Sequence, residues 1–372
     1  MTNSRVTNSS ATRVTDAHQP VFDHLERLTD DCGLFEHALL ATPRREHGYC
    51  IDDVARGLVV VCHEPAPGPV VRRLARRYLA FVLDALDPAG ACRNRMAVDG
   101  QWRDEPAVGD WWGRALWGLG VAATSAPTPG MRARALGGFR IAAQCRSPHV
   151  RSMAFAALGA AELLGKRPDE LAARLLLTDA LAVIGKDDSA DPRWPWPEER
   201  LSYANASIAE ALIVAGEILP DEAALSRGLS LLEFLLRTET RDGHLSLTPV
   251  GGRGRHDVQP GYDQQPIEVS ALADACGRAL RITGDSCWLT GVIQAWAWFL
   301  GDNDSGTPMY DPRTGGGYDG LERDGRNLNQ GAESTLAMLA TAQQARRITE
   351  PWVSVPWVSV PWITEPSGSE RE

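Results

Sequence analysis

Five short stretches gather side chains that a buried helix has little reason to carry. HGYCIDDVAR sets Asp52 beside Asp53, and GDWWGRALWGLG places Asp110, Trp111 and Trp112 ahead of Arg114. WPWPEERLSYANA puts Trp194, Trp196, Glu198 and Glu199 before Tyr203 and Asn205. YDQQPIE packs Asp263, Gln264 and Gln265 against Pro266 and Glu268, and NLNQGAEST repeats the theme with Asn329, Gln330 and Glu333. Helix capping accounts for Asp52, Asp110 or Asn329 taken singly, the helix dipole favours a first-turn acid such as Asp53, and Glu198-Glu199 also reads as a solvated pair. Capping does not account for indoles, amides, acids and an arginine recurring together. Indole faces cover the flat C–H side of a sugar ring, while Asn, Gln, Asp and Arg match neighbouring hydroxyls.

Cleaving a glycosidic bond needs two carboxyl groups across it, one protonated for the leaving oxygen and one ionised to activate water or attack carbon. Glu268 is the candidate acid and Asp53 the candidate base, with Asp52 as its neighbour or substitute. A separation of about 6.5 to 9.5 Å means inversion and about 5 Å retention. The positive end of a helix dipole lowers the pKa of a first-turn acid, which argues against Glu268, so Glu333 stands in reserve. Asp110, Trp111, Arg114, Tyr203, Asn205, Asp263, Gln264, Gln265, Asn329, Gln330 and Glu333 are the candidate sugar-binding residues.

Other chemistries find less support. The glycine runs TGGGYDG and VGGRGR follow no strand, so they do not read as nucleotide-binding loops. No H-E-x-x-H motif appears among the 8 His, and no G-x-S-x-G elbow is present. An aspartate pair also suggests the magnesium motif of helical isoprenoid enzymes, but the position needing a further acid is Arg56. No metal or cofactor is expected. The 7 cysteines form no C-x-x-C pair and read as reduced core thiols. A formal net charge of −10 disfavours a nucleic-acid or anionic membrane partner and suits a neutral saccharide. The first twenty residues lack an apolar signal core and no stretch reaches the ~20 residues of a membrane span, so a cytoplasmic location is expected.

Twelve helical segments position these residues: 20 to 31, 51 to 63, 69 to 86, 110 to 124, 129 to 145, 149 to 164, 168 to 186, 203 to 218, 221 to 238, 266 to 283, 285 to 301 and 329 to 346. Strand-like alternation is nearly absent. Even-numbered segments such as MAFAALGAAELL are rich in Ala and Gly, as in helices covered on nearly every side, and odd-numbered ones such as VVRRLARRYLAFVLDAL carry more charge. Returns to the even helices run through long stretches (32 to 50, 87 to 109, 187 to 202, 239 to 265, 302 to 328), and only 146 to 148 is short. Loops beyond about 12 to 15 residues usually have a task. They gather at the N-termini of the inner helices, which should hold the site. Six inner helices alternating with six outer ones predict an all-α (α/α)6 toroid. A solenoid of helical hairpins is the alternative, but no fixed repeat period appears. The expected organisation is an arm over 1–19, one catalytic domain over 20–348 and a Pro/Trp repeat tail over 349–372, a tail that also offers a partner docking strip.

At HGYCIDDVARGL, GDWWGRALWGLG, WPWPEERLSYANA, YDQQPIEVSALADAC, WFLGDNDSGTPMYDPRTGGGYDGL and NQGAESTLAML the chain resembles a bacterial family found beside glycosyltransferases and glycoside phosphorylases. That family is similar to the six-hairpin glycosidases, and one actinobacterial branch hydrolyses methylated mannose polysaccharide. The resemblance covers residues 20 to 346. It implies a glycoside hydrolase with an (α/α)6 fold and, more distantly, an α-mannoside substrate, with Glu268 and an acid of the Asp52-Asp53 pair as catalytic candidates. The chain departs from the branch at Ala204 of YANA, where the branch has an acid, which puts specificity or activity in question. The expected function is therefore an inverting hydrolase of an oligo- or polysaccharide. The alternatives are a sugar epimerase, a phosphorylase using Arg253, Arg255 and His256 as an anion pocket, or a non-catalytic sugar-binding partner of a glycosyltransferase.

Overall fold

The computed structural model describes residues 20–185, 191 and 193–349. The arm expected over 1–19 and the tail beyond Thr349 lie outside the described residues. Among the described residues twelve helices follow in order: α1 (Asp23–Arg27), α2 (Ile51–His63), α3 (Pro69–Ala85), α4 (Asp110–Ser125), α5 (Pro129–Ala142), α6 (Val150–Leu164), α7 (Leu171–Ile184), α8 (Asn205–Ile218), α9 (Glu222–Thr238), α10 (Pro266–Thr283), α11 (Ser286–Phe299) and α12 (Ala332–Thr349). Each coincides with an expected segment to within a few residues except α1. There the Asp30 carboxylate accepts the backbone N–H groups of Cys32 and Gly33, which turns the chain and ends the helix early.

The even-numbered helices close a ring, packing in the order α2, α4, α6, α8, α10, α12 and back to α2. Each is backed by the odd-numbered helix that follows it, and α12 is backed by α1. This is an (α/α)6 toroid. Pro at the first position of α3, α5 and α10 starts those helices without loss of a hydrogen bond. Small residues set the spacing of the inner ring: a Cβ on Gly120 or Gly159 would collide with backbone carbonyls of the facing helix, so α4 and α6 meet backbone to backbone. No helix among the described residues is long and apolar enough to cross a membrane. Of the cysteines, Cys50, Cys62, Cys92 and Cys276 are buried thiols, whereas Cys287 is exposed near the start of α11 and corrects the expectation that all are core residues.

The long returns collect at the N-terminal ends of the inner helices and are tied into a collar. Tyr49–Cys50 pairs with Arg95–Met96 and Arg200–Leu201 with Arg253–Gly254. Gln264 bridges to Leu321, and Leu40 exchanges hydrogen bonds with Asn329 and Gln330. These strands are two or three residues long, too short to show as alternation in the sequence.

Candidate functional site

A narrow cavity runs down the axis of the toroid, and all six inner helices contribute to its wall. Its upper wall includes Arg56, Arg114, Ala204, Ile267 and Glu333, each at or near the start of its helix. His63, Asp274, Gln344 and Arg347 line its lower part, and Val59, Val60, Trp117, Phe155 and Leu336 make much of it apolar.

Glu268 stands in the first turn of α10 with 3% of its surface exposed. One carboxyl oxygen accepts the Ala204 backbone N–H, and the other accepts Nδ2 of Asn205 at 3.0 Å and the Asn205 N–H at 3.3 Å. Ala204 presents its N–H from a left-handed conformation (φ 45°), which directs the start of α8 at this carboxyl. Burial pushes the Glu268 pKa up to about 8, and nearby Glu239 adds to the rise, while the three donors and Arg151 pull the other way. Desolvation thus opposes the lowering expected from the helix dipole.

On α2 the two aspartates separate. Asp53 is 2% exposed and accepts from Arg56 at 2.7 Å and from the Cys50 thiol at 3.2 Å. Burial outweighs Arg56 and raises its pKa to about 7. Arg56 also donates to Glu333 at 2.7 Å, linking the first inner helix to the last. Asp52 keeps 25% of its side chain exposed and lies 3.0 Å from Nη1 of Arg114, a charge contact without hydrogen-bond alignment. The Arg114 guanidinium packs over the Phe155 ring at 4.6 Å.

Asp110 accepts from the Tyr203 hydroxyl and from Ser152 Oγ at 2.7 Å. Tyr203 is 44% exposed, and Arg151 packs over its ring. The neighbouring indoles diverge: Trp112 is buried, whereas Trp111 is half-buried and donates to the Cys92 carbonyl at 2.7 Å. Gln265 is half-buried at the N-cap of α10. Asp263, whose pKa burial raises to about 6, has one buried oxygen without a protein donor.

Three predicted sugar ligands hydrogen-bond within the collar. Gln264 is fully buried, accepting from Leu247 N and donating to the Gly261 carbonyl and Asp304. Gln330 is 4% exposed and accepts from Thr314, and Asn329 Oδ1 accepts from Leu40 N. Amides suit this work because a buried backbone group without a partner is costly. The anion pocket expected from Arg253, Arg255 and His256 is likewise corrected. Arg253 is buried on the carbonyls of Thr238, Ser246 and Leu247, and Arg255 pairs with Asp191 at 2.6 Å. Glu36, Cys50 and Asp53 bring their ligand atoms within 4.8 Å of one another, but Arg95 and Arg56 already pair with the two carboxylates.

Residue types alone did not single out Arg151, Ser152 or Glu239, nor the bridging part of Arg56. Arg151 and Ser152 do carry a legible signal: two polar residues in the first turn of an otherwise Ala-rich inner helix, the pattern that marked Glu268 and Glu333.

No family model matches the chain, and no curated protein matches it in sequence. Solved structures do share its fold. A sugar epimerase from a ruminal bacterium superposes with a TM-score of 0.68 at 13% identity, covering 90% of this chain and 99% of that one. Cellobiose 2-epimerase of Spirochaeta thermophila gives 0.66 at 12%, over 94% and 100%. The GH76 alpha-mannanase BT2949 of Bacteroides thetaiotaomicron gives 0.58 at 11%, over 93% and 98%. The chain is thus similar in fold to toroids that process sugars.

Proposed function

We propose that the protein is a glycoside hydrolase that cleaves an oligo- or polysaccharide, with α-mannosides as the leading substrate class, by an inverting two-carboxylate mechanism. The observation that supports this reading is that partners of its acids line one axial cavity: Arg56, bonded to Asp53, Arg114, beside Asp52, and Ala204, whose N–H meets Glu268. Glu268 lies where α8 and α10 begin and Asp52 and Asp53 in the first turn of α2, so all three stand at the same end of the ring. Burial raises the Glu268 carboxyl above the ordinary carboxylate range, which suits the donor to the leaving oxygen. Asp52 is the better base of the pair, because it is partly open and rests beside the cavity residue Arg114, whereas Asp53 is enclosed with Arg56. Tyr203, Asp110, Arg114, Gln265 and Glu333 are the groups proposed to hold sugar hydroxyls. The mannoside preference rests on the sequence resemblance and on an alpha-mannanase among the structures of similar fold.

The test is incubation with defined α-mannosides and other oligosaccharides, following reducing ends and the anomeric configuration of the first product by NMR. Hydrolysis raises the number of reducing ends. A changed sugar with no new reducing ends would replace this reading with epimerisation, and binding without turnover would replace it with a sugar-binding role. In Glu268→Gln, turnover is expected to fall about 10²- to 10⁴-fold with ligand affinity retained. Retained turnover removes Glu268 from the acid role.

A further inference from the structure

Arg151, second residue of α6, has 8% of its surface exposed and places its guanidinium on a single segment of the collar. Nη1 and Nη2 grip the two carboxylate oxygens of Glu198 at 2.6 and 2.8 Å, and Nε donates to the Tyr203 carbonyl at 2.8 Å. Nη2 also reaches Asn205 Oδ1 at 3.3 Å, and the guanidinium packs over the Tyr203 ring at 4.7 Å. Glu198 is held besides by the indole N–H groups of Trp194, on its carbonyl, and Trp196, on its carboxylate.

The contact to Asn205 has a directional consequence. An amide offers an acceptor on one side and donors on the other. Arg151 and the Ser202 N–H both donate to Oδ1, which leaves Nδ2 as the face turned to Glu268. The Ala204 and Asn205 N–H groups that complete the cradle belong to the same clamped segment. We infer that Arg151 is a positioning residue for Glu268: by clamping residues 198–205 and orienting the Asn205 amide, it ensures that the Glu268 carboxyl meets donors alone. This rests on reading Glu268 as the working carboxyl. Arginine suits the task because its planar fork satisfies a carboxylate and two further acceptors at once, which a lysine does not.

The charged groups around Glu268 are Arg151 from α6, itself paired with Glu198, and Glu239 at the end of α9, beside which Arg253 lies. Arg151 and the three donors favour the ionised carboxylate, while burial and Glu239 favour the proton. Releasing the clamp removes a positive charge and frees the amide to turn its oxygen toward a protonated Glu268. Both changes move the titration of Glu268 upward.

The experiment uses the full chain with ¹³C-labelled glutamate carboxyls, the Glu268 signal being the one absent from Glu268→Gln. Arg151→Met is expected to raise the Glu268 midpoint by about one pH unit or more, and Arg151→Lys by less in the same direction. The surface variant Arg140→Met, which breaks only the exposed pair with Glu170, is expected to leave it in place. If Arg151→Met does not fold, Arg151→Lys and Asn205→Ala carry the measurement. An unmoved midpoint in the folded variants overturns the inference. Because no substrate is needed, this failure is separate from failure of the hydrolase reading: there, the midpoint moves but the alkaline limb of the kcat profile does not follow it.

Discussion

Glu268 and Asp53 show how the same residue type acquires different work from its neighbours. Both are buried and both hold protons more tightly than a free carboxyl, but Asp53 is paired to a guanidinium and Glu268 to neutral donors. Removing the cation should therefore expose the difference. Arg56→Ala leaves Asp53 enclosed without its counter-charge, and unfolding free energy in urea is expected to drop by about 3 to 5 kcal/mol at pH 8. At pH 5 Asp53 is protonated and the loss should be smaller. An equal loss at both values would mean that Arg56 acts through packing alone. The aspartate pair, the acid at 268 and Glu333 were all legible as residues, since acids in the first turns of apolar helices stand out. Their partners were not: Arg56 meets Glu333 across 277 positions of chain.

Among the elements, the pairing of α4 with α6 is the most exacting. Gly120 and Gly159 sit where each helix leaves no room for a methyl group on the other, whereas Gly137 in α5 has nothing within 4 Å of where a Cβ would stand. Gly→Ala substitution stabilises an open helix position by up to about 1 kcal/mol, while forcing atoms into a filled core costs about 1 to 3 kcal/mol. Gly159→Ala is thus expected to lower stability and Gly137→Ala to raise it, as read by urea unfolding. The same sign for both would show that the inner ring can spread. Alanine and glycine content identified the inner helices because crowding demands small residues wherever it occurs. Which glycines touch depends on how the ring closes, and no periodicity encodes that.

For the molecule as a whole, the buried acids set how stability responds to pH. Glu268 at about 8 and Asp53 and Glu210 at about 7 bind protons in the folded state that the unfolded chain releases from ordinary values of 4.5 or 3.8. Their contribution is full below those ordinary values and is lost as pH rises through 7 to 8. Glu162 runs oppositely: despite burial, Arg278 holds it down to about 2, and its contribution is lost as pH falls below 4.5. The melting temperature should peak near pH 5 and decline toward pH 8.5, with a shallower decline in Glu268→Gln. An unchanged slope in that variant would show that Glu268 titrates as in the unfolded chain.

The order of inner and outer helices, the end at which the long loops gather and the acids that stand there were all determined by the chain on its own. Helix period, crowding by small residues and punctuation by Pro and long returns are local properties that need no partner. Tertiary structure decided the rest: that Asp52 opens toward Arg114 while Asp53 closes on Arg56, that Gln264 and Gln330 hold the collar, and that Arg151 directs the cradle of Glu268. A helix turn decides which way a side chain leaves the backbone, but what it meets comes from another helix, and closing the ring is what brings the two together.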